Sequence, residues 1–434
     1  MKKVFALFLA LALTLSCLFL MPTKAEAANI VASGNFDAMD IKWVLTSDKV
    51  LTFSGKGEIP NMGGVINGAW HRYANSVRTV VIEKGITGIG DSAFHDFTRL
   101  KTLKISSSVK SIGENAFNGC INLKKISLPG GVVEVGVGAF HNTGWYNNKP
   151  IKSTVLYLGN VAYTVKGEIK GALKLKKGTI AIADDAFSSQ DGITSVSLPS
   201  TLKHIGADAF YGCTKLKSVK IPGKVVQIGE FAFYGCSALS KITVPSSVKN
   251  VGANAFHNTK WHKNQKSGKV IYVGKVAYDI KGTYPSKVTI KSGTTAIAEG
   301  LFTGNDRIKS VSLPSTVTKI AYAEFYDCDK LESVTIPKNV TSIGNEAFYS
   351  CDNLKTVAVG DKATTIGDYA FSYCAKLSQV TLGKRVKSIG WAAFDGCSSL
   401  KTVLYRGSKS AWKSVMVNYC NESLTCAKIK YNAK

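Results

Sequence analysis

The sequence predicts a β-rich (α+β) solenoid of about 14 coils with terminal caps, and three observations lead there. Phenylalanine recurs with a 23-residue period: Phe94, Phe117 and Phe140, then Phe187, Phe210, Phe233 and Phe256, then Phe302, Phe325, Phe348, Phe371 and Phe394. Ahead of each Phe lie two short segments, as in Leu216-x-x-Val219-x-Ile221-Pro222 and Val225-x-x-Ile228-Gly229-x-x-Ala232-Phe233. Their alternation and β-branched residues suit strands. Finally, so short a unit cannot bury its apolar face alone, whereas stacked units share one continuous core. In-register strands of such a stack would lie about 4.8 Å apart.

Residues 1–27 read as a secretory signal peptide. Lys2 and Lys3 precede an uncharged stretch from Val4 to Leu20, and Ala25-Glu26-Ala27 supplies a small-x-small cleavage pattern. Thr14-Leu15-Ser16 before Cys17 fits a lipoprotein signal poorly. Residues 28–78, with Trp43, Val50 to Gly57 and Trp70, are expected to form an N-terminal β cap over the first coil. The solenoid is expected over 79–404. In each unit Pro ends the first strand, because it has no N–H for the ladder. Gly after the second aliphatic residue is read as a bend.

Two gaps in the Phe series contain matching irregular islands near 144–180 and 260–296. Leu156-Tyr157-Leu158-Gly159-Asn160-Val161-Ala162-Tyr163 in one parallels Ile271-Tyr272-Val273-Gly274-Lys275-Val276-Ala277-Tyr278 in the other. Each island admits two readings. One is a degenerate coil in which Tyr replaces the ladder Phe. The other is a β-hairpin turning at Gly159-Asn160 and Gly274-Lys275. Trp145 and Trp261 are 116 residues apart, so a block of three coils plus an island is duplicated. Residues 405–434, with Trp412, are expected to form a C-terminal cap, since solenoids need closed ends to stay soluble. No segment after the signal approaches the apolar length of a membrane span, and no sorting signal or hydrophobic tail is recognised.

The unit Leu-x-x-Val-x-Ile-Pro-x-x-Val-x-x-Ile-Gly-x-x-Ala-Phe-x-x-Cys resembles the BspA-type leucine-rich repeat, over roughly residues 79–404. The resemblance implies a leucine-rich repeat stack. Characterised members of that family are bacterial surface proteins that adhere to host matrix proteins or other cells. It therefore implies a secreted, extracellular or wall-associated protein that binds a protein or glycan ligand, without identifying that ligand. The chain departs from anchored members in showing no recognisable wall or membrane anchor.

The formal net charge is +26, and removing residues 1–27 leaves 52 basic and 28 acidic residues, or +24. Only six of the basic residues are Arg. Lys is a flexible point charge, whereas Arg is the usual bidentate reader of phosphates and bases. The excess thus fits loose attraction to anionic wall polymers, with no nucleic-acid partner expected.

Seven Cys share one phase, three residues after the Phe: Cys120, Cys213, Cys236, Cys328, Cys351, Cys374 and Cys397. Other coils carry Phe97, Thr143, Gln190, Thr259 or Asn305 there, which suits a column of buried thiols and not a disulfide or metal framework. Cys420 and Cys426 stand outside the column, and an exported protein could bridge them. The six His are scattered without ligand spacing, and no nucleophile elbow, zinc-protease or phosphate-loop motif appears. No catalytic residue, cofactor or metal ligand is therefore assigned, and the chain is not expected to be an enzyme; the alternatives to a binding protein are an exported glycan-active enzyme or toxin-like factor with a solenoid binding part, and a structural wall component held by charge.

Two exposed columns are the candidate ligand contacts. The residue between the two core aliphatics of the first strand should face outward, and along the stack it includes Lys104, Lys220, Thr243, Thr335 and Thr381. The residue after the ladder Phe includes Tyr211, Tyr234, Tyr326 and Tyr349, which would stack on one another or on sugar rings.

Overall fold

The structure, a computed structural model, describes residues 28–36, 40–62 and 69–433; the expected signal segment 1–27 lies outside them. Most coils of the solenoid add one short strand to each of two parallel ladders. In the C-terminal half the first ladder has seven strands, from Lys287–Thr289 to Lys428–Lys430. The second has five, from Lys319–Ile320 to Met416–Val417. Register follows the 23-residue period: Ser312 pairs with Thr335, and Gln227 with Asn250. Because a strand's side chains alternate, this register keeps every aliphatic residue of one column on the core side.

The ladder Phe residues stack as the period requires. Phe210 and Phe233 have ring centroids 5.1 Å apart at 7°, and Phe325 and Phe348 are 4.9 Å apart at 3°. All twelve are fully buried. The preceding residue is a buried Ala in ten of the twelve coils, with Leu301 and Glu324 in the other two. Crowding by the adjacent coil explains the ladder glycines, and here the structure corrects the bend reading. Gly136 and Gly206 are absent from the left-handed positions. Instead, a Cβ at Gly206 would lie 2.6 Å from the Asp184 backbone nitrogen one coil back, and one at Gly136 equally close to that of Glu114. The left-handed turn falls two residues before Phe, at Asn115, Asp208 or Asn254, residues that tolerate that conformation.

Eight of the ladder Phe residues pass their N–H to the Ala carbonyl of the next coil, as in Phe210 to Ala232 at 2.8 Å. Where the stack is interrupted, side chains take over, since a buried N–H must find a partner. At the islands the Tyr163 and Tyr278 hydroxyls accept the Phe140 and Phe256 N–H groups at 2.8 and 2.7 Å. At the far end Asn421 Oδ1 accepts from Phe394, and at the near end Trp70 Nε1 donates to the Ala93 carbonyl. Tyr for Phe is thus a substitution with a hydrogen-bonding reason.

The islands are hairpins and rungs at once. Lys152–Leu158 pairs antiparallel with Val161–Lys166, turning at Gly159-Asn160, and the returning strand then pairs in parallel with Ala181–Ile182. Val270–Val273 and Val276–Ile280 repeat the arrangement. Each island opens where Thr replaces the ladder Cys: Thr143 and Thr259 cap the helical turns Gly144–Asn147 and Lys260–Lys263 through their hydroxyls. At the N-terminal end Ile30–Phe36, Ile41–Thr46 and Val50–Gly55 form an antiparallel sheet. Its last strand runs parallel to Thr79–Ile82, extending the first ladder, and Trp70 packs edge-on against Phe36 and Phe53.

Candidate functional site

The sheet-face column lies outward, as its alternation requires: Lys104, Lys220, Thr243 and Thr335 are exposed and Thr381 is half-buried. The structure brings some of them together. Lys220 pairs with Thr243, Thr335 with Ser312, and Thr381 with Ala358 and Leu404. Lys104 belongs to a separate sheet, beside Val81.

The tyrosine column pairs within each half. Tyr211 stacks on Tyr234 at 5.3 Å and 8°, and Tyr326 on Tyr349 at 5.0 Å and 6°. In the C-terminal half three further rings join. Tyr373 and Tyr369 meet Tyr349 edge-on at 5.4 and 6.4 Å, and Trp391 meets Tyr369 at 4.8 Å and 85°. Tyr373 and Trp391 remain 47% and 42% exposed, so the cluster is an aromatic band open to solvent. Sequence reasoning followed the position after Phe and so missed all three. Tyr373 lies two residues after its Phe, and Tyr369 occupies the left-handed position, with φ of 55°. Trp391 lies three residues before Phe394, as Tyr322 does before Phe325.

Such a band offers apolar ring faces with hydroxyl and indole edges, a surface suited to planar or ring-shaped partners. Burial, with the neighbouring Tyr hydroxyls and Glu346, raises the pKa of Tyr349, so this ring stays neutral at physiological pH. Around the rest of the molecule the positive charge is little neutralised. Among the described residues, ion pairs of Lys or Arg are Lys170–Glu168, Lys355–Glu332 and Arg406–Asp361.

The seven ladder thiols are buried and free, and each donates to the carbonyl of the preceding coil's Phe, as Cys236 does to Phe210 at 3.1 Å. Burial pushes Cys120 up to about 12. Such thiols are inert because the thiolate is the reactive form. Cys420 and Cys426 are free as well, and the chain between them forms the helical turn Glu422–Thr425. Sequence spacing also missed one cluster: the second island gathers His257, His262 and Asp279.

A family model described as BspA type leucine rich repeat region matches residues 56–170, 180–306 and 277–401, in six copies. Among solved structures, the chain is similar to a leucine rich cell surface protein from Faecalibacterium prausnitzii, at 24% identity and a TM-score of 0.36. That match covers 90% of this chain and 98% of the other. A leucine-rich repeat protein from Bacteroides ovatus is 22% identical with a TM-score of 0.34, over 94% and 99% of the two chains. The pneumococcal vaccine antigen PcpA is 16% identical with a TM-score of 0.35, over 94% and 98%. The curated proteins contain no match.

Proposed function

The chain belongs to the BspA-type leucine-rich repeat family, and from that premise we propose that it is an exported binding protein of the bacterial surface. In this reading residues 1–27 are removed on export, 28–78 and 405–434 cap the ends, and the solenoid over 79–404 presents the ligand-binding surface. The observation that carries the proposal is the aromatic band of half-buried Tyr326, Tyr349 and Tyr369 with exposed Tyr373 and Trp391. A soluble chain rarely leaves clustered large rings in water without a partner to cover them. The ligand is a glycan or a host or wall protein. The hydroxyl-rich sheet face with Lys220, Thr243, Thr335 and Thr381, the separate Lys104, and the Tyr211–Tyr234 pair provide secondary contacts. The role needs no catalytic residue and no cofactor. Unpaired Lys side chains supply many weak contacts to anionic wall polymers, each worth about 0–1 kcal/mol.

Glycan and matrix-protein arrays probed with the mature chain test this reading. Trp391→Ala and Tyr373→Ala are expected to weaken the strongest hit by about 2 kcal/mol each, roughly 30-fold. Raising salt from 0.1 to 1 M, which shortens the Debye length from about 10 to about 3 Å, should strip binding to wall polymers but spare the aromatic contact. A ligand whose affinity is indifferent to both substitutions would move recognition away from the band.

A further inference from the structure

The second island holds a constellation that the first lacks. His257 follows the ladder Phe256, His262 lies in the helical turn Lys260–Lys263, and Asp279 lies on the returning strand Val276–Ile280. Asp279 Oδ2 is 2.6 Å from His262 Nε2 and 3.3 Å from His257 Nε2. The two imidazole centroids are 4.3 Å apart, and the three potential ligand atoms all lie within 4.8 Å of one another. The His262 and Asp279 side chains are only 10% and 13% exposed, while His257 at 30% leaves one side open.

We propose that His257, His262 and Asp279 form a binding site for one divalent transition-metal ion of the zinc class, with its fourth position open to solvent. Two imidazoles and one carboxylate are a donor set that such borderline ions favour. Metal–ligand bonds of about 2.1 Å put tetrahedral ligand atoms about 3.4 Å apart, beside 2.6 and 3.3 Å from the carboxylate oxygen to the two imidazole nitrogens and at most 4.8 Å across the set. The surroundings already orient them. His257 Nδ1 is 3.1 Å from the Tyr278 hydroxyl, itself anchored by the Phe256 N–H. With Nδ1–H donating to that oxygen, the Nε2 lone pair points at the ion, the arrangement that outer partners impose on metal-binding His. The His262 backbone N–H is held by Thr259 Oγ1 at 3.0 Å, which fixes the turn carrying the second ligand. Both imidazole Nε2 atoms face the same carboxylate oxygen, and an ion bound among them would clasp the helical turn to the hairpin.

The duplicated block is an internal control. The first island has His141 where the second has His257, Tyr146 where it has His262, and Thr164, beside Tyr163, where it has Asp279. The scaffold is the same: His141 and Tyr146 rings lie 4.6 Å apart, and the Tyr163 hydroxyl accepts the Phe140 N–H. Those three positions offer one imidazole and no carboxylate, so the protein should take one ion and not two.

The test uses the untagged mature chain, titrated with Zn²⁺ by calorimetry and with Co²⁺ by visible absorption. One equivalent of each is expected, with the intense visible bands of tetrahedral Co²⁺. His262→Tyr and Asp279→Thr install residues that the first island already accommodates, and far-UV circular dichroism checks that the coil is kept. Either change should lower affinity at least about 100-fold, more than the 10- to 100-fold typical of losing an outer-shell partner. His257→Ala should do the same. Failure to bind either ion at millimolar concentration, or binding that survives His262→Tyr and Asp279→Thr together, overturns the proposal.

Discussion

Glu324 occupies the ladder position that is Ala in nearly every other coil, immediately before Phe325. It is 2% exposed, and its Oε1 has no hydrogen-bond partner. Burial, reinforced by Cys328 and Glu299, pushes its carboxyl from 4.5 up to about 8. The sign of the consequence follows from linkage. A folded-state value above the unfolded one means that the folded chain holds the proton more tightly. The stability this provides is complete below about pH 4.5 and is lost as pH rises to about 8. At about 1.4 kcal/mol per unit, the titration between pH 5 and 8 withdraws about 4 kcal/mol. Glu324→Ala should abolish that slope. At pH 5 the variant should lie within about 1–3 kcal/mol of wild type, the cost of a neutral but unpaired buried oxygen. Between pH 5 and pH 8 the difference should shift by about 4 kcal/mol in the variant's favour. Urea unfolding across pH 5–8, with amide exchange read in the coils around Phe302 to Phe348, measures both. If the two proteins show the same pH slope, Glu324 is not a buried titrating group and the reasoning fails.

Phe233→Ala should open a cavity between coils and cost about 3–5 kcal/mol, with protease cleavage appearing near that coil before the ends, since each unit leans only on its neighbours. Tyr163→Phe removes only a hydroxyl but strands the buried Phe140 N–H, so it should cost about 1–3 kcal/mol in thermal or urea unfolding, whereas the reverse change at a regular ladder Phe has no such N–H to satisfy. Thiol labelling of the folded protein should be fast only at Cys420 and Cys426, and the seven ladder thiols should react after denaturation without reductant; a ladder disulfide found by mass spectrometry would contradict the buried column.

What the sequence determined by itself is whatever depends on period. Twelve Phe in register dictate a stack, because no other arrangement buries an identical apolar face on every 23-residue unit. Alternation then says which strand residues face out, and Lys104, Lys220, Thr243 and Thr335 do. The interrupted Cys column likewise argues for isolated buried thiols. What only the tertiary structure decided depends on how one coil meets the next or how a break in the period is healed. The ladder glycines are required by the backbone of the neighbouring coil at Asp184 and Glu114, a distance that no spacing within one unit encodes. Trp391, Tyr369 and Tyr373 sit at three different offsets from their Phe residues, so they join only once the coils are stacked. His257, His262 and Asp279 lie at separations of five and seventeen residues, matching neither a helix face nor a ligand motif. They converge because a hairpin folds one strand back over a helical turn, and that juxtaposition belongs to the fold alone.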